Sequence, residues 1–493
     1  MIPRPRGVTR LHRSNGHHDA VLQRAVASAF NPLEAAVVLE SAGVNDRVAR
    51  ERFGVSDVFA LADAEFTRRD LPDRVAEPAG GTRAAVAGRP STTRWFSLRG
   101  PLYAVPGVVA LALLPTGDHV ETALLLGGLV LSWAWGYGMS YIAWAYVGNL
   151  EPAAARRFLH RSIVVGILVA SVVAVVAVFA SLIFTMTVHV SLWTVLLLVG
   201  QTAYLLGAVT LLMTGHESRL LIAVAPALVG TIAGLWDGLP VAAISGPGQA
   251  GGPEGFAMAW LGASVVLTVV LALFSSRDGA PPGQPLPEET WSGAARHAAY
   301  GLFIALLVLY PAFNELLNEN FESLPVSVTL AALPLVVGMG IAELLLYDHR
   351  RDVRMMLTST GSPDHFATGV RRALLRTHLQ FIAALGAMTV ALGGLGVVAF
   401  DLTDGRYLLL AVDYLVLGVA IFSAMVLNML GRITTVLVTL GSGTALLLAF
   451  NVAADYRVPD AAAMTWHGFV ALALFAAHAL LVRRLVSRTT SHW

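Results

Sequence analysis

Long apolar runs alternate with short polar segments from residue 101 almost to the end of the chain. Most of these runs approach or exceed the roughly 20 residues that a helix needs to cross about 30 Å of hydrocarbon. The pattern predicts an all-α, polytopic membrane protein with twelve transmembrane helices. The predicted spans are residues 101–115, 121–147, 163–186, 192–214, 220–236, 255–274, 298–317, 326–346, 379–400, 407–427, 433–450 and 466–482.

A polar, proline-rich cytoplasmic connector divides the spans into two groups of six. Each group has an arginine-rich connection after its second span and a very short one after its fourth. An even number of spans gives both groups the same orientation, as in parallel repeats related by an axis along the membrane normal. We therefore expect two six-helix lobes with a cleft between them, which is typical of transporters. The predicted boundaries are 99–275 for the N-lobe, 276–296 for the connector and 297–493 for the C-lobe.

The first 98 residues are polar and contain helix signals. We predict a disordered basic tail at 1–17, a small helical cytoplasmic domain at 18–70 and a linker at 71–98. An early helix near 19–30 and three helices with caps at Asn31, Asn45 and Ser56 follow from the capping pattern. The second of these is expected to stop at Gly54. The domain is either a folding appendage or a docking module for a cytoplasmic partner such as a glycosyltransferase.

Arginine is distributed asymmetrically along this pattern. All 33 basic residues are arginine, and 31 of them fall on one side of the predicted spans. Basic residues near span ends are retained on the cytoplasmic face. We therefore predict a bacterial inner-membrane protein with both termini in the cytoplasm. The cytoplasmic basic loops include Arg156, Arg157, Arg350, Arg351 and Arg354.

Composition excludes several kinds of chemistry. The chain contains no cysteine, which excludes disulfides, thiolate metal sites and cysteine nucleophiles. It contains no lysine, so a phosphate-binding loop of the Gly-Lys type and ATP coupling within the chain are excluded. The pair His17 and His18 has no acidic neighbours. We expect no metal, cofactor, nucleic-acid partner or enzymatic activity.

Aromatic side chains are concentrated toward the end of the second span. Flat rings at Trp133, Trp135 and Tyr141, mixed with small residues, can line a surface that faces a sugar or a lipid. The alternative is an aromatic belt at the inner membrane interface, which fits Trp144 and Tyr146 better.

Ionisable residues inside predicted spans are costly and therefore suggest function. Asp413 in span ten is predicted to be a protonatable switch or an interlobe ion pair. Glu343 in span eight is either a cleft residue or an interface carboxylate that reaches water or pairs with Arg350. His478 in span twelve is either a relay or a neutral imidazole bonded to a backbone carbonyl. Asp237 lies at the outer end of span five.

Two prolines occupy equivalent places in the halves. Pro106 in span one and Pro311 in span seven interrupt backbone hydrogen bonds. Broken helices at corresponding positions are typical of gates or binding sites, although packing kinks give the same pattern.

Two segments carry a resemblance to a known superfamily. Residues 136–162 read GYGMSYIAWAYVGNLEPAAARRFLHRS, and residues 343–354 read ELLLYDHRRDVR. The first resembles the end of span two and the following basic helix in the multidrug/oligosaccharidyl-lipid/polysaccharide (MOP) flippase superfamily. The second is similar to the end of span eight in Pel-type exopolysaccharide exporters of that superfamily. The resemblance covers residues 99–486 in layout.

The resemblance implies a flippase or exporter that moves a polysaccharide or lipid-linked sugar by alternating access. Cationic side chains expected in the cleft of pyrophosphate-sugar flippases are absent from the middle of every predicted span. The first-span aspartate of some cation-coupled drug exporters is also absent. Alternative functions are a small-molecule secondary transporter of the drug or major-facilitator type, a non-transporting scaffold of a glycan synthesis complex, and a membrane glycosyltransferase.

Overall fold

A computed structural model describes the chain at residues 32–41, 43–69, 99–102, 119–149, 151–184, 190–236, 253–277, 286–317, 326–359, 363–400, 402, 405–454 and 460–486. All regular structure in these residues is helical, which confirms the all-α fold class. The predicted helix near 19–30, the cap at Asn31, Pro106, Asp237 and most of the first predicted span lie outside the described residues.

The described part of the N-terminal domain contains three short helices: α1 (Pro32–Ser41), α2 (Asp46–Phe53) and α3 (Val58–Arg69). The side chain of Asn45 accepts a hydrogen bond from the Val48 amide and begins α2, as predicted. Gly54 ends α2 in the left-handed conformation with φ 67°, which favours glycine. Their apolar faces share one small core that includes Leu39, Val48 and Leu61.

The predicted cap of α3 is wrong by one residue. Asp57 accepts from the Ala60 amide at 2.7 Å, whereas the Ser56 hydroxyl donates to the Asp57 carboxylate at 2.8 Å. The backbone hydrogen bond from Ala60 and the bond from Ser56 lower the pKa of Asp57. Asp57 is therefore the N-cap, and Ser56 supports it.

Eleven longer helices follow in the described part of the chain. Ten of them are long and apolar enough to span a membrane, which establishes a multi-pass membrane protein. The remaining one, α7, coincides with the fifth predicted span. The helices are α4 (His119–Gly148), α5 (Pro152–Phe184), α6 (Leu192–Met213), α7 (Glu217–Trp236), α8 (Pro253–Ser276), α9 (Glu288–Leu316), α10 (Val326–Ser359), α11 (Pro363–Phe400), α12 (Gly405–Met429), α13 (Ile433–Ala453) and α14 (Asp460–Val486).

Several helices extend beyond the apolar runs that predicted them. α5 includes the basic segment before span three, and α10 continues to Ser359. At 1.5 Å per residue, the 34 residues of α10 extend about 50 Å, more than the hydrocarbon core requires. The basic segments are therefore continuous with their spans as rigid helices.

The most extensively packed helix pairs fall within two groups. In the first group α8 packs against α6 and α7, and in the second α10 packs against α11 and α12 while α14 packs against α12. The larger apolar core belongs mainly to the second group and contains Tyr300, Phe381 and Phe422. A smaller one in the first group includes Leu125, Ala174 and Leu198.

The chain divides into two compact units. The first contains α1–α3 and also Ile142–Ala155, the junction of α4 and α5. Within this unit, Arg52 forms an ion pair with Glu151 at 2.7 Å, and Arg47 donates to the side chain of Asn149. The N-terminal domain thus binds the junction of the chain's own helices. The second unit contains the rest of the helices.

Candidate functional site

A buried carboxylate and a buried imidazole face each other in the second helix group. Asp413 on α12 is 4 % exposed, and His467 on α14 is 1 % exposed. Asp413 Oδ2 lies 3.9 Å from His467 Nδ1, and neither atom has a hydrogen-bond partner. The separation is within ion-pair range but beyond hydrogen-bond range.

The other ring nitrogen fixes the tautomer of His467. Its Nε2 lies 3.0 Å from the carbonyl oxygen of Leu307, which can only accept, so Nε2 carries a proton and donates it. In the neutral ring, Nδ1 then carries no proton, and its lone pair points toward a carboxylate oxygen. Two acceptor atoms thus face each other, and neither has a hydrogen-bond donor among the described residues. We call Asp413 and His467 the proton pair.

Surrounding aromatic rings hold the proton pair in place. The ring of Tyr310 stacks on His467 with centroids 5.4 Å apart, and Asn451 donates to the Tyr310 hydroxyl at 2.8 Å. Tyr414 contacts the imidazole edge-on and donates to a backbone carbonyl. Beside them, a Cβ on Gly468 would lie 2.1 Å from Asp413 Oδ1. Any residue other than glycine at position 468 would therefore displace the Asp413 carboxylate.

The proton pair does not join the two lobes. Its neighbours come from α9, α12, α13 and α14, all in the second group. The predicted interlobe ion pair at Asp413 is therefore absent from the described residues. About three turns further along α14, His478 Nδ1 lies 3.1 Å from the Ala420 carbonyl, the backbone contact considered for a neutral imidazole.

A second charged cluster does join the two groups. Arg99 donates to Glu217 Oε1 at 2.7 Å and to Glu343 Oε2 at 3.0 Å. Glu217 begins α7 in the first group, whereas Glu343 lies on α10 in the second. Burial lowers the pKa of the Arg99 guanidinium, but the bonds to the two carboxylates outweigh it and raise the pKa overall. The guanidinium is therefore permanently charged.

The pairing of Glu343 with Arg350 is wrong, because the carboxylate bonds to Arg99 instead. Arg99 and Glu217 were not predicted as site residues. The available signal was positional: Arg99 immediately precedes the first span, and Glu217 is the acid in the short connection before span five.

The helices α4 and α9 lie antiparallel and also connect the two groups. Tyr141 stacks on His297 with centroids 4.3 Å apart, and Tyr137 meets Tyr300 edge-on at 5.3 Å. At the opposite end of the pair, His119 bonds to the carbonyl of Leu316. Of the predicted aromatic residues, Tyr141 therefore lies between the groups.

The remaining predicted residues are placed as follows. The backbone of Trp133 lies against Gly301 of α9, whereas Trp135 donates its indole N–H to Ser162 of α5 at 3.0 Å, inside the first group. Pro311 is buried inside α9. The basic residues lie at helix ends: Arg156 and Arg157 near the start of α5, and Arg350, Arg351 and Arg354 near the end of α10.

No protein-family model matches the sequence, and no curated protein sequence does either. Solved structures do match. An inward-facing multidrug resistance MATE family transporter of the MOP superfamily is similar with a TM-score of 0.53 and 12% identity, covering 81% of this chain and 98% of that one. A MATE protein in complex with Br-NRF is similar with a TM-score of 0.47 and 12% identity, covering 82% and 98%. The chain thus has a fold similar to that of a MATE transporter of the MOP superfamily.

Proposed function

We propose that this chain is a proton-coupled secondary transporter of the MOP superfamily that moves a polysaccharide or lipid-linked sugar across the bacterial inner membrane by alternating access. The proton pair carries this proposal. Asp413 and His467 place two acceptor atoms 3.9 Å apart in a buried site. Binding and release of a proton there change the charge of the second lobe's interior, which is the requirement for coupling a gradient to a conformational change.

The substrate class rests on the resemblance of residues 136–162 and 343–354 to polysaccharide exporters. Tyr141 lies between the two helix groups with its ring stacked on His297, and separation of the groups would expose that ring face to a sugar. A small-molecule transporter is the second candidate. It is favoured by the similarity of the fold to a multidrug resistance transporter.

The test is transport by reconstituted protein in vesicles with an imposed pH gradient. One probe is a fluorescent polyprenyl-phosphate-linked sugar, and the other is the dye ethidium. Asp413→Asn keeps the shape of the side chain but replaces the carboxylate with an amide that binds no proton, so it should abolish gradient-driven movement of the transported probe. Trp135→Phe is the control, because Trp135 lies away from the proton pair and loses only its bond to Ser162.

Three outcomes separate the candidates. Movement of the sugar probe supports a glycan exporter, and movement of ethidium alone supports a small-molecule transporter. Movement of neither supports the scaffold alternative. Full gradient-driven transport by Asp413→Asn would show that the proton pair is structural.

The N-terminal domain is proposed to bind a cytoplasmic partner such as a glycosyltransferase. Its ion pair between Arg52 and Glu151 ties it to the junction of α4 and α5, so a bound partner would act on that junction. Deletion of residues 18–70 should lower cell-surface glycan and remove a co-purifying protein. Unchanged glycan output with unchanged co-purifying proteins would contradict this role.

A further inference from the structure

Two contacts between the helix groups lie at the same end of the helices. In one, residues 99–102 approach α10 so closely that a Cβ on Gly100 would lie 2.0 Å from the Val337 carbonyl oxygen. In the other, α4 and α9 meet through Tyr141 and His297. Most of the described arginines lie at this end, which the charge distribution predicts to be cytoplasmic.

Arg99 is bonded differently to the two helix groups, which matters if the groups move apart. Arg99 is tied to the first helix group by the neighbouring Leu102, whose carbonyl accepts a hydrogen bond from Tyr204 of α6. Its two carboxylate partners come one from each group. When the groups separate, the bond to Glu343 must break, while the bond to Glu217 moves with Arg99. The guanidinium then keeps one charged partner, so separation never leaves a buried cation alone.

We propose that Arg99, Glu217 and Glu343 form a charge latch that closes the cytoplasmic end between the two halves. On opening, Arg99 releases Glu343 and stays bonded to Glu217. The latch rests on the proposed alternating access, because its purpose is to hold one of the two alternating states. It also explains why two carboxylates share one guanidinium.

A second feature keeps the latch reversible. The hydroxyl of Tyr300 is buried and has no hydrogen-bond partner. Its ring contacts Tyr137 across the two groups. A buried hydroxyl without a hydrogen-bond partner is energetically costly. When this end opens, water can bond to the Tyr300 hydroxyl, and this favours the open state. The charge latch opposes this tendency, so loss of the latch should shift the population toward opening.

The test measures distances rather than transport. The chain has no cysteine, so spin labels attach only where cysteines are introduced. Arg161→Cys on α5 and Arg354→Cys on α10 are exposed positions, one in each group. Pulsed electron–electron double resonance in lipid nanodiscs gives the distribution of distances between the two spin labels.

Glu343→Gln should increase the ratio of long to short distances about 2- to 10-fold, because the Glu343 side chain is 40 % exposed and water screens its bond to Arg99. Glu217→Gln is the matched control, because it removes a bond within one half and should not raise the long-distance population. An unchanged distribution in Glu343→Gln, or an equal increase in both variants, would overturn the latch.

A disulfide provides the second measurement. A Cβ on Gly138 would lie 3.3 Å from that of Ala298, near the Cβ separation that disulfides adopt. Oxidation of Gly138→Cys/Ala298→Cys should return Glu343→Gln to the short distance. A persistent long distance would mean that Glu343→Gln disrupts the fold instead of opening this end. Vesicle transport is scored separately, so a normal latch without transport would contradict the proposed function alone.

Discussion

Gly100 offers the sharpest test of how closely the two halves approach. A Cβ added there would lie 2.0 Å from the Val337 carbonyl oxygen, 2.6 Å from its carbonyl carbon and 2.9 Å from its Cα. Ordinary contact begins at 3.4 Å, so the two backbones must separate by about 1.4 Å, the difference between 3.4 and 2.0 Å. Backbone atoms of two helices cannot move aside as a flexible side chain does.

Gly100→Ala should therefore lower the free energy of unfolding by about 1–3 kcal/mol, the usual cost of overpacking a tight contact. The displacement should also stretch the neighbouring bond from Arg99 to Glu343. The control is Gly127→Ala on α4, where an added Cβ meets nothing within 4 Å. Thermal unfolding of the purified variants in the same detergent measures the effect. Equal unfolding midpoints for the two variants would refute the close approach.

Two further predictions concern topology and the N-terminal domain. A single cysteine at Gly248→Cys should react with an impermeant thiol reagent in intact cells, and one at Gly283→Cys should not; the opposite labelling would reverse the proposed orientation. Asp57→Ala should speed amide exchange at Ala60 in the purified full chain much more than Ser56→Ala does, because Asp57 accepts the bond from that amide. Equal effects of the two substitutions would restore Ser56 as the cap.

Local features were predictable because their causes are local. Asn45 and Gly54 bound α2 as capping rules require, and the glycine at 148 ends α4 just before a basic helix. The Ser56 cap failed because Asp57, the next residue, is an equally good acceptor and two such neighbours cannot be separated by sequence rules. Hydropathy likewise located the helices of predicted spans two to twelve, since each span depends on its own composition.

The charged contacts between helices were not predictable from these rules. Arg99 is separated from Glu217 by 118 positions and from Glu343 by 244. Hydropathy specifies that a helix crosses the membrane but not which helices become its neighbours. Asp413 could be recognised by its position inside an apolar span, whereas its partner His467 required the packing of α12 on α14.

The length of α10 has a mechanical consequence. Pro334 interrupts the backbone hydrogen bonds of this helix, Glu343 lies 9 residues beyond it, and Ser359 lies 25 residues beyond it. If the part of α10 beyond Pro334 tilts by about 10°, Glu343 moves about 2 Å and the far end about 7 Å. A tilt that small would part a contact of 3.0 Å. In such a tilt the free end of the helix would move about three times as far as the carboxylate.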